Sequence, residues 1–181
     1  ILLITDEIYD EFIFPPTTHA SPASFSEDVL IVRGYSKTHG CTGWRLGYAA
    51  GPERLIDEML KLKQQTFVCA PSALQKAVVN AHDIDLSPML ERFASRRDMV
   101  VDLLGDVTEL TVPDGSFFAF PRVPAHLGMT GSEFIAKAIE KDVLVIQGNV
   151  FSAKDTHFRI SFAAADDLLE KGLTILRSLL S

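Results

Sequence analysis

Cysteine is scarce in this chain and follows no pattern. Cys41 and Cys69 are its two thiols, and they build neither a disulfide framework nor a metal site. They read as small buried thiols in a reducing compartment, and a cytoplasmic location is expected. The five histidines show no metal-ligand spacing, so no metal centre is predicted. Long apolar runs are missing too: none approaches the roughly 20 residues a helix needs to cross a bilayer. Positive charge falls short of negative, 17 Lys and Arg against 24 Asp and Glu for a net charge of -7. That balance argues against nucleic acid or an anionic membrane as a main partner. Internal repeats and low-complexity segments are absent as well.

What is present is ordinary globular material. The chain has 181 residues, 47% of them hydrophobic, enough to bury a sizeable core. Ile1 to Thr5 is a continuous apolar run that suits a central parallel strand. A loop rich in proline, serine and threonine covers Pro15 to Ser26. Strands are predicted at Leu30–Val32 and Tyr48–Ala50, and a helix with an apolar face from Pro52 to about Phe67. Further helices are predicted from Pro71-Ser72 through Ala81, and from Ser87 to Leu104 with Gly105 as its cap. Arg92, Arg96 and Arg97 are expected on a solvated face of the latter. Beyond Val107 short strands alternate with helices: strands at Leu110–Val112, Ser116–Phe120, Val143–Ile146 and His157–Ala163, helices at about 131–141 and 166–180.

Between two of these elements stands the stretch Gly34-Tyr35-Ser36-Lys37-Thr38-His39-Gly40-Cys41-Thr42-Gly43-Trp44-Arg45-Leu46-Gly47. Its glycines allow sharp turns and a close approach to a ligand. By spacing alone, a lysine after a strand is a solvated surface residue. In apolar company its amine becomes nucleophilic, and an arginine nearby can hold a phosphate in a bidentate grip. The pair suggests a cofactor with an aldehyde and a phosphate, pyridoxal phosphate.

The stretch resembles the cofactor-attachment site of class I/II aminotransferases, the fold-type-I pyridoxal-phosphate enzymes. In that pattern Gly34 stands three residues before the lysine, Ser36 directly before it, and Arg45-Leu46-Gly47 follow from the eighth position after it. The resemblance implies that Lys37 forms the Schiff base with the cofactor and shuttles the substrate's α-proton. Asp6-Glu7-Ile8-Tyr9, about thirty residues earlier, resembles the family's Asp-x-x-Tyr element. Asp6 is thereby expected at the pyridine nitrogen and Tyr9 at the phenolic oxygen, although a lone aspartate after a strand is ordinarily a cap. Arg45 is expected to bind the phosphate and Ser36 to add a hydroxyl. Some family members bind phosphate through a serine where this chain has Gly34.

Phe158-Arg159-Ile160-Ser161-Phe162-Ala163 resembles the family's C-terminal arginine element, whose arginine clamps the substrate α-carboxylate. An arginine in an apolar strand needs an anion in any case. Pro113 to Phe118 resembles the family's Pro-x-Gly-x-Phe stretch, with Gly115 and Phe117 chiefly structural and only secondarily lining the active site. His39 is expected to be structural, and Trp44 to be packed.

The expected fold is α/β: a mostly parallel sheet, the incomplete large domain of fold type I, over residues 1–94, then a small C-terminal α+β domain over 95–181. The resemblance covers the C-terminal half of such enzymes, and the apolar opening at Ile1 fits a chain that is part of a longer one. The implied activity is transamination between an L-amino acid and a 2-oxo acid, in a homodimer. A carbon–sulfur β-lyase or a cyclopropane-forming synthase would use the same residues. A non-enzymatic sensor domain joined to a DNA-binding module is the third reading, and a winged-helix segment would favour it.

Overall fold

The computed structural model describes residues 1–181, which fall into two compact units, Ile1–Leu86 and Ser87–Ser181. The division precedes the third long helix, whereas the sequence placed a boundary between residues 94 and 95, inside it. The helix belongs whole to the second unit because its buried stripe packs on the closing helix.

The first unit is built on a three-stranded sheet, β1 (Leu3–Asp6), β2 (Val29–Gly34) and β3 (Gly47–Ala50), in that order. β1 and β2 run parallel with Asp6 opposite Val32. β3 pairs antiparallel to β2 with Gly34 opposite Gly47, so within this chain one of the two pairings is parallel. The return through residues 35–46 contains no α-helix of the kind that usually carries a parallel crossover. Within this chain β1 pairs with β2 on one side, and Leu3 and Ile4 are exposed. Helix α1 (Glu53–Thr66) forms where expected, with Pro52 as its N-cap. Its apolar side, including Met59, Leu60 and Leu62, is exposed and no residue of it is buried. Helix α2 (Ser72–Ala77) is shorter than predicted and gives way to a tight turn at Ala81–Asp83. Leu46, Val78 and Ala81 form a small core with Tyr35, Ala70 and Leu74 around it. Phe12, Phe14, Val29 and Leu30 are buried on the sheet side.

The second unit holds α3 (Ser87–Leu104), β4 (Phe118–Ala119), α4 (Gly131–Ile139), β5 (Ile146–Gln147), β6 (Phe158–Ser161) and α5 (Asp166–Leu180). Its sheet is antiparallel in the order β4-β6-β5. The strand expected at Leu110–Val112 does not form. Pro113 offers no N–H to a ladder, and the segment is tied only at its start, where Arg122 N–H donates to the Glu109 carbonyl at 3.0 Å. α4 opens with a capping box: Thr130 accepts from Glu133 N–H while Glu133 accepts from Thr130 N–H.

Leu169, Leu173, Leu176 and Leu180 make the buried stripe of α5, and Val100 and Leu104 that of α3. Arg96 shares that stripe of α3 and is buried, not solvated. Its Nε donates to Asp166 Oδ1 at 2.6 Å, and Arg92 reaches the other oxygen at 3.0 Å. Those bonds hold the Asp166 carboxyl below the usual aspartate range. An aspartate that the sequence placed at a helix start for its dipole thus also joins two helices.

Candidate functional site

The site grows from the paired ends of β1 and β2. Parallel neighbours finish on the same edge of a sheet, and open α/β sheets take ligands beyond those carboxyl ends. Past Asp6, Glu7 N–H donates to the Val32 carbonyl at 2.9 Å and the chain then turns, Asp10 N–H to Glu7 O at 3.1 Å and Phe12 N–H to Tyr9 O at 2.9 Å. Asp6 Oδ1 accepts from Ile8 N–H at 3.2 Å, so this exposed carboxylate also shapes the turn. Tyr9 is half-buried, edge-on to Phe12 with centroids 6.3 Å apart.

β2 ends at Gly34, where space is tight. A Cβ there would stand 2.9 Å from Ile8 Cδ1 and 3.2 Å from the Leu46 carbonyl oxygen. A side chain there would need Ile8 Cδ1 to shift and the Leu46 carbonyl to give by a few tenths of an ångström. His39 N–H donates to Tyr35 O at 3.1 Å and Gly40 N–H to Lys37 O at 3.3 Å, closing a turn that carries Ser36 and Lys37, both half-buried. Lys37 Nζ comes to 5.9 Å from the centroid of the Tyr9 ring. The structure therefore brings Lys37 and Tyr9 together, beside the strand end that carries Asp6.

His39 packs on Tyr35 at 5.8 Å, in a group with Tyr48 and His82. Trp44 is 42% exposed rather than packed. Cys41 is half-exposed and donates to the Tyr35 carbonyl at 3.1 Å, and Cys69 is exposed, so neither thiol is buried as expected.

Arg45 follows the tight turn Thr42–Trp44 with φ 53° and ψ 42°, in the left-handed region. A non-glycine residue held there stores about 1–3 kcal/mol. Its neighbour Leu46 is 6% exposed and anchored in the small core, which keeps the conformation in place. The side chain is exposed, with Nη1 donating to the Thr42 carbonyl at 3.4 Å. Arg45→Gly is expected to raise the stability of the intact protein by about 0.5–1 kcal/mol, the relieved strain less glycine's extra freedom when unfolded. Denaturant midpoints measure it.

Sequence reasoning missed the group that binds these turns together. Glu7, 4% exposed, accepts from Arg33 Nη2 at 2.7 Å, Arg33 Nε at 3.0 Å, His19 Nε2 at 3.2 Å and the Ser21 hydroxyl. Arg33 Nη1 also meets Asp10 Oδ2 at 3.1 Å. Glu7 and Asp10 thus grip one guanidinium from both sides of Tyr9. Burial pushes the Glu7 carboxyl up, but the hydrogen bonds from Ser21, Arg33 and His19 outweigh it and hold the group down at about 2. The signal was available: Arg33 continues an apolar strand, the same anomaly that drew attention to Arg159.

Within the second unit Arg159 lies on the central strand β6, opposite Ile146. Its guanidinium carbon stands 4.2 Å from the Phe118 ring centroid and 4.4 Å from that of Phe151. Its Nε is buried with no hydrogen-bond partner. An orphaned guanidinium nitrogen costs free energy unless an anion arrives to accept from it. Phe117 contacts both Phe93 and Phe118, in keeping with the structural part expected of it.

A family model for aminotransferases of class I and II matches residues 1–175. The chain belongs to that family. This class I/II aminotransferase chain is 32% identical to a probable aspartate aminotransferase of Methanocaldococcus jannaschii, over 99% of its own length and 50% of the relative's. It is 35% identical to an aspartate aminotransferase of Pinus pinaster, over 98% and 42% respectively. Among solved structures, an aromatic aminotransferase from Pyrococcus horikoshii superposes with a TM-score of 0.93 at 30% identity, over 99% of this chain and 51% of that one. Aspartate aminotransferase from Thermotoga maritima gives 0.90 at 28% identity, over 98% and 47%. The aminotransferase-family chain thus spans about half the length of the relatives it matches.

Proposed function

We propose that this chain forms part of a pyridoxal-phosphate-dependent aminotransferase that moves an amino group between an L-amino acid and a 2-oxo acid. The observation that carries the reading is Lys37 Nζ set over the Tyr9 ring, beside the strand end at Asp6. The donor set fits the group: an amine for an aldehyde, a carboxylate for a pyridinium, a phenol for a phenolate oxygen, a guanidinium for a phosphate. When bound, pyridoxal phosphate supplies a ring that draws electrons from the substrate's α-carbon.

The chain's own residues do the rest. Lys37 would hold the cofactor through its amine and, once displaced by the substrate's amine, would carry the proton from the substrate's α-carbon to the cofactor's former aldehyde carbon. Asp6 accepts from the pyridine nitrogen and keeps its proton in place. Tyr9 donates to the phenolic oxygen. Arg45 holds the phosphate, with Ser36 as a second donor. Arg159 receives the α-carboxylate, which sets the Cα–H bond for cleavage. The reading includes a homodimer and a cytoplasmic location; no helix is long and apolar enough to cross a membrane.

The intact protein, supplied with pyridoxal phosphate, should convert one L-amino acid to its 2-oxo acid only as an added 2-oxo acid is aminated, one for one. Arg45→Gly is expected to weaken its hold on the cofactor by about tenfold, one lost charged contact. Pyruvate and ammonia from a thioether amino acid without any acceptor would replace transamination by a lyase. No turnover of any amino acid by cofactor-loaded protein would favour a sensor.

A further inference from the structure

We infer that Phe118 and Phe151 are positioning residues for Arg159, holding its guanidinium against two rings so that a carboxylate meets donors already oriented. The inference rests on the reading of Arg159 as the carboxylate receiver and gives Phe118 and Phe151 a part that the motifs did not. The two centroid distances, 4.2 Å and 4.4 Å, put both rings within cation–π reach of the guanidinium carbon. Aromatic faces are negative and attract a guanidinium. They accept none of its five planar N–H bonds, which stay available around the edge. A guanidinium shielded by rings makes a stronger charged hydrogen bond at that edge. The buried, unpartnered Nε is one such donor.

Each ring is itself held. Phe118 stands 4.7 Å from Phe117, which contacts Phe93 at 5.8 Å. On the other side Phe151 meets Phe120 edge-on at 6.2 Å, and Phe120 stacks on His157 at 5.2 Å and 5°. Phe151 follows the tight turn Gly148–Val150. Gly148 N–H donates to the His157 carbonyl at 2.8 Å, and a Cβ on Gly148 would stand 2.5 Å from that same oxygen. Glycine alone lets the turn press this closely on the strand ahead of Arg159, and the turn delivers Phe151 over the guanidinium. A side chain fixed before binding has less freedom to lose when the substrate arrives.

The test uses the intact, cofactor-loaded protein with L-aspartate and 2-oxoglutarate, or the best donor found above. Binding of succinate, a carboxylate without a reactive amine, is followed in parallel by calorimetry. Phe118→Leu and Phe151→Leu should each raise KM for donor and acceptor by about tenfold and weaken succinate equally, with kcat within about threefold. Phe151→Tyr keeps a ring and should restore all three to within about twofold. A tyrosine variant that loses as much as leucine would overturn the inference, because packing and not the π face would then matter. Leucine variants that match the parent while Arg159→Leu raises KM would overturn it too, leaving Arg159 as the receiver. If Arg159→Leu leaves KM and succinate binding unmoved, the reading of Arg159 falls, and this inference with it.

Discussion

Lys37→Ala in the intact, cofactor-loaded protein should lower turnover by about 10⁴-fold or more, because one substitution removes both a nucleophile and a proton carrier. Proton transfer by a placed side chain alone contributes about 10²–10⁴-fold. Lys37→Arg should fail as badly, since a guanidinium keeps its proton at any working pH. Neither change should unfold the protein. Lys37 is half-buried on a turn, and its turn is closed by its backbone carbonyl rather than its side chain. Its recorded side-chain contact is the Tyr9 ring at 5.9 Å, so stability should move by about 0.5 kcal/mol at most. Single-turnover measurements with one donor, beside denaturant curves, separate the two effects. A Lys37→Ala protein that turns over like its parent would remove the central assignment, whatever the family.

Glu7→Ala should cost about 3–5 kcal/mol, the scale for breaking a buried ion pair from one side. It leaves Arg33 with Asp10 alone and takes the shared acceptor from His19 and Ser21. Acid should mimic it. The Glu7 carboxyl falls from an ordinary 4.5 to about 2 in the folded chain, so its contribution is fully present above about pH 4.5. It is lost as the pH drops through the folded value near 2. At about 1.4 kcal/mol for each pH unit between the two values, that is about 3 kcal/mol. Denaturant melts at pH 7 and pH 3, on the parent and on Glu7→Gln, check it. The glutamine variant should be less stable at pH 7 and less sensitive to acid. An equal acid sensitivity in both proteins would show that other carboxylates govern it.

Much of the local architecture was legible because its signals are local. Proline and serine starts, apolar spacing and the run before Gly34 marked the helices and the first strands. Directions and partners were less so. The antiparallel pairing of β3 goes with a return loop that lacks a crossover helix, which the composition of Tyr48-Ala49-Ala50 does not reveal. The apolar sides of β1 and α1 were legible, but periodicity records which face is apolar and not what covers it. Lys37, Tyr9 and Asp6 were legible as a motif, and the structure adds that β1 and β2 end side by side. The Glu7–Arg33 pair escaped because its partners are 26 residues apart, and Phe118 and Phe151 because ring and guanidinium meet only after the strand and turn fold.

The salt-linked corner at Glu7 also bears on how faithfully the chain can fold. Side chains alternate along a strand, so sliding β1 by one residue against β2 would turn Asp6 to the opposite face. Glu7 and Asp10 resist such a slip, because a displaced strand would carry both carboxylates off Arg33 and leave its guanidinium without either partner. The corner therefore acts as a registration pin, penalising a misaligned chain before any ligand could test the alignment.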